Sequence, residues 1–233
     1  MTHQPGSSSV EAPDYWWFAA RARLLEAALA PYLGAPARLL DVGSADGPSA
    51  AWMRGDHTHV TLDLDARGLT AGRGVVGALP HLPFADGSFD VVAAFDVVEH
   101  VESEAAALDE LARVLSSGGR LLVSVPAYQW AWSHHDVRAG HYRRYTRPRI
   151  VAAVERAGLT VERATYAFGA VFPLFAGQRL LQRVRSGPPA ERLPSVHPVL
   201  DRVLRGASAA EARVLPRVDL PFGSSVLLAA TRP

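Results

Sequence analysis

The sequence predicts an α/β fold built on a doubly wound, mostly parallel sheet. The apolar run Ala37–Val42 ends abruptly in small residues, as a buried parallel strand does where it turns into a helix. Further along, short apolar strands alternate with segments of helical periodicity, and the last strands form an antiparallel end. A length of 233 residues suits one large α/β domain with insertions, or two small domains.

Composition excludes several classes of function. The net charge of +1 gives no global argument for a nucleic-acid or anionic-membrane partner. The absence of cysteine excludes disulfides, thiolate nucleophiles and cysteine-based metal sites, and it suits a reducing compartment. The chain shows neither a signal-peptide pattern nor an apolar run of the ~20 residues that span a bilayer. We therefore expect a soluble, cytoplasmic protein without a transmembrane segment.

The N-terminal region divides into a polar tail and a helix. Residues 1–12 are polar and are expected to be disordered, which leaves 13–233 as a single folded domain. Helical periodicity predicts a helix over Tyr15–Leu33, ended by Gly34 and Pro36. The dense aromatic residues at its start are more typical of a core than of a ligand site, although a helix placed there could fold over a cofactor.

The remaining elements are predicted from periodicity and turn residues. Ser116–Gly119 is expected to end the helix before it, because glycine favours a helix C-terminus. The further predicted helices of the sheet domain are Gly47–Arg54, Glu102–Leu115 and Arg147–Ala157. The further predicted strands are His59–Leu62, Gly74–Gly77, Val91–Phe95, Arg120–Val125, Leu159–Ala167 and Ser225–Ala230.

A glycine turn after the first strand is suited to binding a ligand. In Leu39–Gly47, the small residues Gly43, Ala45 and Gly47 let a ligand lie against the backbone, and Asp41 supplies a carboxylate. The dinucleotide fingerprint G-x-G-x-x-G is incomplete here, which argues against an NAD-dependent oxidoreductase. The turn resembles the D/E-x-G-x-G-x-G motif of class I S-adenosylmethionine-dependent methyltransferases, with Ala45 in place of the middle glycine.

A second block carries the same resemblance. The run Leu82–Asp90, the strand Val91–Phe95 and the sequence Val98-Glu99-His100-Val101 are similar to the third and fourth strands of the type 11 methyltransferases. Both blocks occur in the order and spacing of that family. The resemblance implies a seven-stranded, Rossmann-like methyltransferase sheet with an antiparallel last strand and a helical insertion before it. It also implies S-adenosyl-L-methionine as the cofactor.

The cofactor site is expected at the carboxyl ends of the strands, where open α/β sheets bind ligands. Asp63 can accept hydrogen bonds from both ribose hydroxyls, and Arg21 can pair with the cofactor's carboxylate. In the family that the chain resembles, an acidic residue a few positions before the Leu-Pro-Phe run meets the adenine amino group. The stretch Gly77–His81 has no carboxylate, so backbone near Leu79 and apolar packing are expected to hold the adenine. The alternatives are a solvated loop carboxylate at Asp63, a surface arginine at Arg21 and a helix-capping role for His100. The expected cofactor-binding residues are Trp17, Arg21, Asp41, Gly43, Ser44, Ala45, Gly47, Asp63, Leu64, Leu79, Phe95, Asp96 and His100.

The segment Pro126–Tyr145 is the richest in chemically active side chains. Polar and aromatic loops directly after a sheet strand more often bind ligands than pack. Its Gly-His-Tyr-Arg-Arg-Tyr-Thr sequence, together with Trp-Trp-Phe-x-x-Arg near the N-terminus, resembles a bacterial methyltransferase subgroup associated with glycan or secondary-metabolite loci. Because the segment is a polar and aromatic loop directly after a strand, we expect it to receive the methyl acceptor. The expected acceptor-binding residues are Trp132, His134, Tyr142, Arg144 and Tyr145.

Histidines of this segment are the candidate bases for an oxygen or nitrogen acceptor. Imidazole suits the role because its pKa lies near ~6.5, and Asp136 could orient a ring. The expected catalytic residues are His135, Asp136 and His141. For His141 and Arg144, a structural network that holds the loop is an equal alternative. A metal site at His134-His135-Asp136 is disfavoured because adjacent side chains rarely point the same way, so no metal is expected.

The long segment 168–223 exceeds the short hairpin that a plain doubly wound methyltransferase needs between its last strands. Apolar positions predict one helix from Val171 to Val184 and another over Val199–Leu215, joined by the linker Pro188–Pro198. We expect both helices to pack over the carboxyl end of the sheet, as a lid on the acceptor pocket or as a homodimer contact. The interleaved arginines favour a solvated face; a surface against lipid headgroups or a dimer partner is the alternative.

Together these features predict transfer of a methyl group from S-adenosylmethionine to oxygen or nitrogen of a small-molecule, sugar or peptide acceptor. In-line displacement at a sulfonium depends mainly on proximity and alignment, which can lower the barrier by ~7–11 kcal/mol. One alternative is a cofactor-binding scaffold or regulator without catalysis. A less favoured one is the NAD-dependent oxidoreductase.

Overall fold

A computed structural model describes residues 14–43, 47–66, 69, 74–184 and 196–233. The predicted N-terminal tail, the turn residues Ser44 and Ala45, and most of the linker Pro188–Pro198 lie outside the described residues. Within the described ranges, seven strands form one sheet with helices against both of its faces.

Most predicted elements are present with small shifts at their ends. The strands are β1 (Arg38–Val42), β2 (Thr58–Asp63), β3 (Gly74–Val76), β4 (Phe89–Phe95), β5 (Leu115–Pro126), β6 (Thr160–Ala167) and β7 (Ser225–Thr231). The α-helices are α1 (Trp16–Leu33), α2 (Glu104–Val114), α3 (His134–Ala139), α4 (Arg147–Arg156), α5 (Phe172–Val184) and α6 (Pro198–Val214).

The strand order confirms the predicted doubly wound sheet with an antiparallel last strand. The order is β3-β2-β1-β4-β5-β7-β6, in which β7 runs antiparallel to β5 and β6. The other pairs are parallel. The order reverses between β1 and β4, and ligands bind open α/β sheets at such a switch point. The segments that follow β1, β4 and β5 therefore surround the site.

Two apolar layers sandwich the sheet, which explains why its central strands read as continuous hydrophobic runs. On one face, Val92 and Ala94 of β4 pack with Leu108 of α2 and Ile150 of α4. On the other face, Val91, Ala93 and Phe95 of β4 pack with residues of α1 and α6. Alternate side chains of one strand thus enter different cores, and the strand ends are held rigidly where the site forms.

The predicted helix Gly47–Arg54 is wrong in type. The segment forms a 3₁₀ helix over Pro48–Met53, six residues long. Arg54 already has extended φ and ψ of −72° and 139°, and β2 begins at Thr58. The segment between Gly47 and Arg54 is therefore helical, as predicted, but of the 3₁₀ type.

Ser116–Gly119 does not end a helix, as the sequence suggested. Helix α2 ends at Val114, and β5 begins directly at Leu115. The amide of Gly118 donates to the carbonyl of Arg232 at 2.8 Å, and the amide of Arg232 donates to the carbonyl of Gly119 at 2.9 Å. Pairing with the C-terminal segment outweighs the local preference of glycine for a helix end.

The two predicted helices of segment 168–223 are present, but they pack in different places. Helix α6 lies along α1 and buries Leu204 and Ala212 in the same apolar layer. Glu211 of α6 accepts hydrogen bonds from the amides of Phe168 at 2.6 Å and Ala170 at 2.8 Å. The expectation that both helices cover the carboxyl end of the sheet is therefore wrong for α6, because its apolar face completes the α1 layer. Helix α5 alone adjoins the loop after β5.

Candidate active site

The turn after β1 approaches the end of β4 closely. Gly43 has a φ of +73°, and a Cβ atom placed on it would lie 2.6 Å from Cγ2 of Val97. A residue without a side chain meets both constraints. Asp41 is buried at the end of β1, with Oδ2 3.8 Å from Nε2 of His59, and Gly47 is buried where the 3₁₀ helix begins. The predicted Ser44 and Ala45 lie outside the described residues.

The end of β2 presents the acidic residue predicted for a ribose. Asp63 is half-buried, and its Oδ1 accepts a hydrogen bond from the amide of Asp65 at 2.9 Å. Leu64 beside it is exposed, whereas Leu79 is partly buried against the core. The carboxylate of Asp63 is thus oriented by the following turn, at the same edge of the sheet as Gly43.

An ion pair links α1 to the end of β4. Nη2 of Arg21 lies 2.8 Å from Oδ2 of Asp96, and the hydroxyl of Ser124 on β5 donates to Oδ1 of Asp96 at 3.0 Å. Only 11% of the Arg21 side chain is exposed, so the alternative of a surface arginine is wrong. Asp96 itself has a positive φ of 57°, which turns the chain sharply after β4. Arg21 is therefore held by Asp96 at the carboxyl end of β4.

Aromatic side chains close the α1 side of this region. The Trp17 ring is stacked on Phe168 at 5.9 Å with an interplanar angle of 8°. The guanidinium of Arg21 lies over the Trp17 ring at 5.6 Å from its centroid. Phe95, almost fully buried at the end of β4, lies 6.3 Å from the ring of Trp52. The Trp17 ring thus supports the Arg21 guanidinium, whereas Phe95 and Trp52 pack together at the end of β4.

The loop after β5 is organised around the buried carboxylate of Asp136. Its Oδ1 accepts from Nε of Arg144 at 2.7 Å and lies 2.9 Å from Nδ1 of His141. Its Oδ2 accepts from the amide of Ser133 at 2.9 Å and from the Ser133 hydroxyl at 3.2 Å. Burial opposes ionisation of Asp136, but the hydrogen bonds from His141 and Arg144 outweigh it and hold its pKa well below the usual range. The carboxylate therefore stays charged.

This carboxylate fixes the orientation of His141. Because ionised Asp136 only accepts hydrogen bonds, Nδ1 of His141 carries the proton and Nε2 faces the other way. The His141 ring lies 4.6 Å from His100 and 6.2 Å from His135, nearly perpendicular to both. Desolvation by the surrounding residues lowers the pKa of His100 and of His135, although both side chains are exposed to solvent. His100 does not cap the helix that follows β4, because Ser103 caps α2; its ring bonds to the backbone of Ala139 at the end of α3 and lies beside His141.

Glu99 is the residue that the sequence interpretation missed. It is fully buried, and within the described residues neither carboxylate oxygen accepts a hydrogen bond from another residue. Burial, reinforced by the charge of Asp96, raises the pKa of Glu99 well above its usual value. One ligand atom each from Glu99, His100 and His141 lie within 4.8 Å of one another. The available signal was a glutamate directly after the apolar pair Val97-Val98, in the block that carried the family resemblance.

Two residues that were predicted to contact the acceptor, Arg144 and Tyr145, are buried and bind other residues of the protein. Arg144 is almost fully buried, pairing with Asp136 and donating to the carbonyl of Ala127 at 3.1 Å. Tyr145 is completely buried, with Arg149 stacked over its ring at 5.0 Å, and burial raises the pKa of its hydroxyl. We therefore correct both: Arg144 positions Asp136, and Tyr145 belongs to the core. The bridge between Ala127 and Tyr145 holds the loop back against β5.

The remaining residues that were predicted to form the acceptor site lie on the outer side of the loop after β5. Trp132 is half-buried, whereas His134, His135 and Tyr142 are exposed to solvent. The amide of Tyr142 donates to the carbonyl of Glu99 at 2.8 Å, which ties the loop to the end of β4. The Glu99, His100 and His141 side chains are called the Glu99 cluster below, and the His135 ring lies 6.2 Å from that of His141.

Comparison with known proteins agrees with this geometry. The family model described as "Methyltransferase domain" matches residues 15–164. An "Uncharacterized methyltransferase" of Mycobacterium sp. (strain JLS) is 33% identical over 112 residues, which cover 45% of this chain and 44% of the relative. A "Probable S-adenosylmethionine-dependent methyltransferase" of Mycolicibacterium smegmatis is 36% identical over 88 residues, covering 37% of this chain and 34% of the relative. These alignments span less than half of the curated relatives.

Solved structures share the fold. A SAM-dependent methyltransferase of Thermotoga maritima superposes with a TM-score of 0.58 at 17% identity, covering 97% of both chains. A geranyl diphosphate methyltransferase in complex with SAM superposes with a TM-score of 0.60 at 18% identity, covering 99% of this chain and 93% of that one. The chain belongs to the methyltransferase-domain family of class I S-adenosylmethionine-dependent enzymes, as the glycine turn and the Leu82–Val101 block predicted. Its predicted cofactor, S-adenosyl-L-methionine, is that of the family. In the part of the chain that the structure describes, no helix has the length and apolarity to cross a membrane.

Proposed function

We propose that this protein transfers the methyl group of S-adenosylmethionine to an oxygen or nitrogen atom of a small-molecule, sugar or peptide acceptor in a biosynthetic pathway. The observation that carries the proposal is the Glu99 cluster, whose His141 ring is held by the ionised carboxylate of Asp136. A methyltransferase needs polar groups at the point where the acceptor atom meets the methyl group. The end of β4, beside the switch point, is that place in this sheet.

The cofactor would lie across the carboxyl ends of β1, β2 and β4. Gly43 leaves room for it against the backbone, and Asp63 would accept hydrogen bonds from the ribose hydroxyls. Arg21 and Asp96 would bind the charged amino-acid end of the cofactor, since the pair carries one group of each sign. The chemistry itself needs alignment of the acceptor with the methyl carbon, and this can supply ~7–11 kcal/mol.

The acceptor would approach from the loop after β5, which carries Trp132, His134, His135 and Tyr142 on its outer side. Nε2 of His141 is the atom best oriented to bind the acceptor's O–H or N–H group. Helix α5 supports this loop, because Nη1 of Arg179 donates to the Ser133 hydroxyl at 2.8 Å. These contacts support α5 as one side of the acceptor pocket.

The test is binding of the cofactor followed by transfer. Calorimetry should show one S-adenosylhomocysteine bound per chain and no NAD. Incubation with isotope-labelled S-adenosylmethionine and a panel of sugars, amines, phenols and peptides should then label at least one acceptor class. Tight cofactor binding without transfer to any acceptor would favour the scaffold alternative, and binding of NAD alone would overturn the proposal.

A further inference from the structure

We propose that Glu99, His100 and His141 bind one divalent transition-metal cation. The inference goes beyond the proposed function, and it differs from the expectation of no metal, which considered only His134, His135 and Asp136. The three side chains come from two separate segments. Glu99 and His100 lie in a short 3₁₀ helix after β4, Val98–His100, and His141 lies in the loop after β5. Their ligand atoms nevertheless lie within 4.8 Å of one another. One ion bound at ~2.0–2.2 Å from each atom fits between them after small side-chain adjustments.

The burial of Glu99 is the second observation that points to a cation. A fully buried carboxylate normally accepts hydrogen bonds, because an isolated buried charge is very costly. Among the described residues, however, no other residue donates to either Glu99 oxygen, although two imidazole rings lie beside it. The space is closed to bulk water at these oxygens, which suits an ion held directly by side chains better than a large substrate group.

The surroundings of the two histidines match those of metal ligands. A ligating histidine usually donates its other ring N–H group to a carboxylate or a backbone carbonyl. Nδ1 of His141 lies 2.9 Å from the ionised Asp136 carboxylate, which leaves Nε2 for the ion. His100 makes a hydrogen bond with the backbone of Ala139. Each ring therefore has a polar partner outside the cluster, and one nitrogen of each ring lies within 4.8 Å of a Glu99 oxygen.

The ligand set selects the type of ion. Two imidazoles and one carboxylate suit Zn²⁺, Co²⁺, Fe²⁺ or Mn²⁺, whereas Mg²⁺ and Ca²⁺ prefer oxygen ligands. Three protein ligands leave at least one position open, as in catalytic rather than structural sites. We therefore expect a site that can also bind an acceptor atom.

The role of the ion in transfer rests on the proposed function, whereas binding of the ion does not. When Nε2 of His141 binds the ion, it is no longer free to bind the acceptor's proton, and the ion takes over that role. With a hydroxyl acceptor, the ion would stabilise the alkoxide after its proton passes to bulk water. An oxygen lone pair would then form the new C–O bond to the methyl carbon. The C–S bond would break, and its electron pair would stay on sulfur as S-adenosylhomocysteine.

Metal binding by the full-length chain is the direct test. Purified protein is stripped with EDTA, dialysed against Zn²⁺, Co²⁺, Mn²⁺ or Mg²⁺ in turn, and analysed for metal content. We expect one Zn²⁺ or Co²⁺ per chain, no Mg²⁺, and visible absorption bands of the Co²⁺ form that shift when His141 is replaced. Glu99→Gln, which keeps the shape of the side chain, should abolish stoichiometric binding. Asp136→Asn should weaken affinity about 10–100-fold by releasing His141.

His81→Asn is the matched control, because His81 is exposed and lies outside the cluster; it should bind metal as the wild type does. Circular dichroism checks that each variant is folded, and His100→Asn replaces Glu99→Gln if the latter fails this check. The proposal is overturned if the wild type takes up no stoichiometric metal, or if a folded Glu99 or His100 variant binds it equally well. Metal binding without methyl transfer would contradict the proposed function alone, and transfer by metal-free protein would contradict the ion's role alone.

Discussion

Nδ1 of His141 lies 2.9 Å from Oδ1 of Asp136, a carboxylate that is completely buried and also bound by Arg144 and Ser133. Both residues belong to the loop after β5, and their pairing sets the direction of the His141 ring, which lies 4.6 Å from the ring of His100 at the end of β4.

Replacing His141 with alanine should lower turnover while leaving cofactor affinity nearly unchanged. Groups that handle the acceptor's proton contribute about 10²–10⁴-fold to the rate, and His141 stands beside the acceptor rather than the ribose. His135→Ala should lower turnover as well, because its ring lies 6.2 Å from His141. Turnover and calorimetric titration with S-adenosylhomocysteine measure the two effects separately. Loss of cofactor binding by a folded variant would move that residue to the cofactor site.

Replacing Asp63 with alanine should weaken cofactor binding. A hydrogen bond to a charged group is worth roughly 1.5–3 kcal/mol, which corresponds to an affinity loss of about ten- to a hundredfold. Asp65→Ala is the control, since Asp65 contributes its backbone amide to Asp63 and the amide remains in the variant. Calorimetry with S-adenosylhomocysteine decides, and an unchanged dissociation constant in Asp63→Ala would remove the ribose role from that residue.

Gly43→Ala should be destabilised and should lose cofactor affinity. A left-handed backbone costs a residue with a side chain roughly 1–2 kcal/mol, and the new Cβ would also lie 2.6 Å from Val97. Gly158→Ala is a matched control, because Gly158 has a φ of +80° but nothing within 4 Å of the added atom. Urea denaturation should show a larger loss for Gly43→Ala than for Gly158→Ala, and Val97→Ala should recover part of the difference. Equal losses would show that the contact with Val97 is unimportant.

Arg179→Ala should raise the KM for the acceptor without changing cofactor affinity. Arg179 of α5 donates a hydrogen bond to the Ser133 hydroxyl, and the Ser133 amide in turn donates to the Asp136 carboxylate. Arg202→Ala on α6, an exposed position, is the control. An acceptor KM equal to that of the wild type would place the acceptor away from α5.

Stability should depend on pH through Glu110 and Arg113. The hydrogen bond from Arg113 lowers the pKa of Glu110 below its usual value of 4.5. A carboxyl whose folded-state pKa is lowered stabilises the protein above the unfolded pKa, and this contribution is lost as the pH falls through the folded one. Arg113→Met should therefore be less stable than the wild type at neutral pH, with a gap that narrows below pH 4.5. Urea titrations at several pH values measure it, and a gap independent of pH would exclude the Glu110 contribution.

Local sequence patterns predicted the buried strands correctly. The placement of side chains that depends on contacts between distant segments was not predicted. Leu39–Val42 of the first strand and the strand Val91–Phe95 are buried, so their mostly apolar character alone was sufficient. The residues of the loop after β5 that were predicted to form the site could not be told apart by sequence, but tertiary packing divides them. Tyr145 and Arg144 turn inward because the loop pairs back onto Ala127.

Glu99 illustrates the same limit. Its importance comes from the approach of His141, which lies more than forty positions away and is brought close by the Asp136 network. No spacing rule within Val98–Val101 contains that information. Helix α6 was placed wrongly for a similar reason, since its apolar face fits either the carboxyl end of the sheet or the α1 layer, and only the assembled core distinguishes them.

A crystal structure of the full-length protein with S-adenosylhomocysteine tests the central claim most directly. We predict that the ribose of the bound S-adenosylhomocysteine lies at Asp63 and that its amino-acid end lies beside Arg21 and Asp96. Its sulfur should be directed toward the Glu99 cluster. A bound cofactor whose sulfur points away from Glu99, His100 and His141 would contradict the claim that methyl transfer takes place at this cluster.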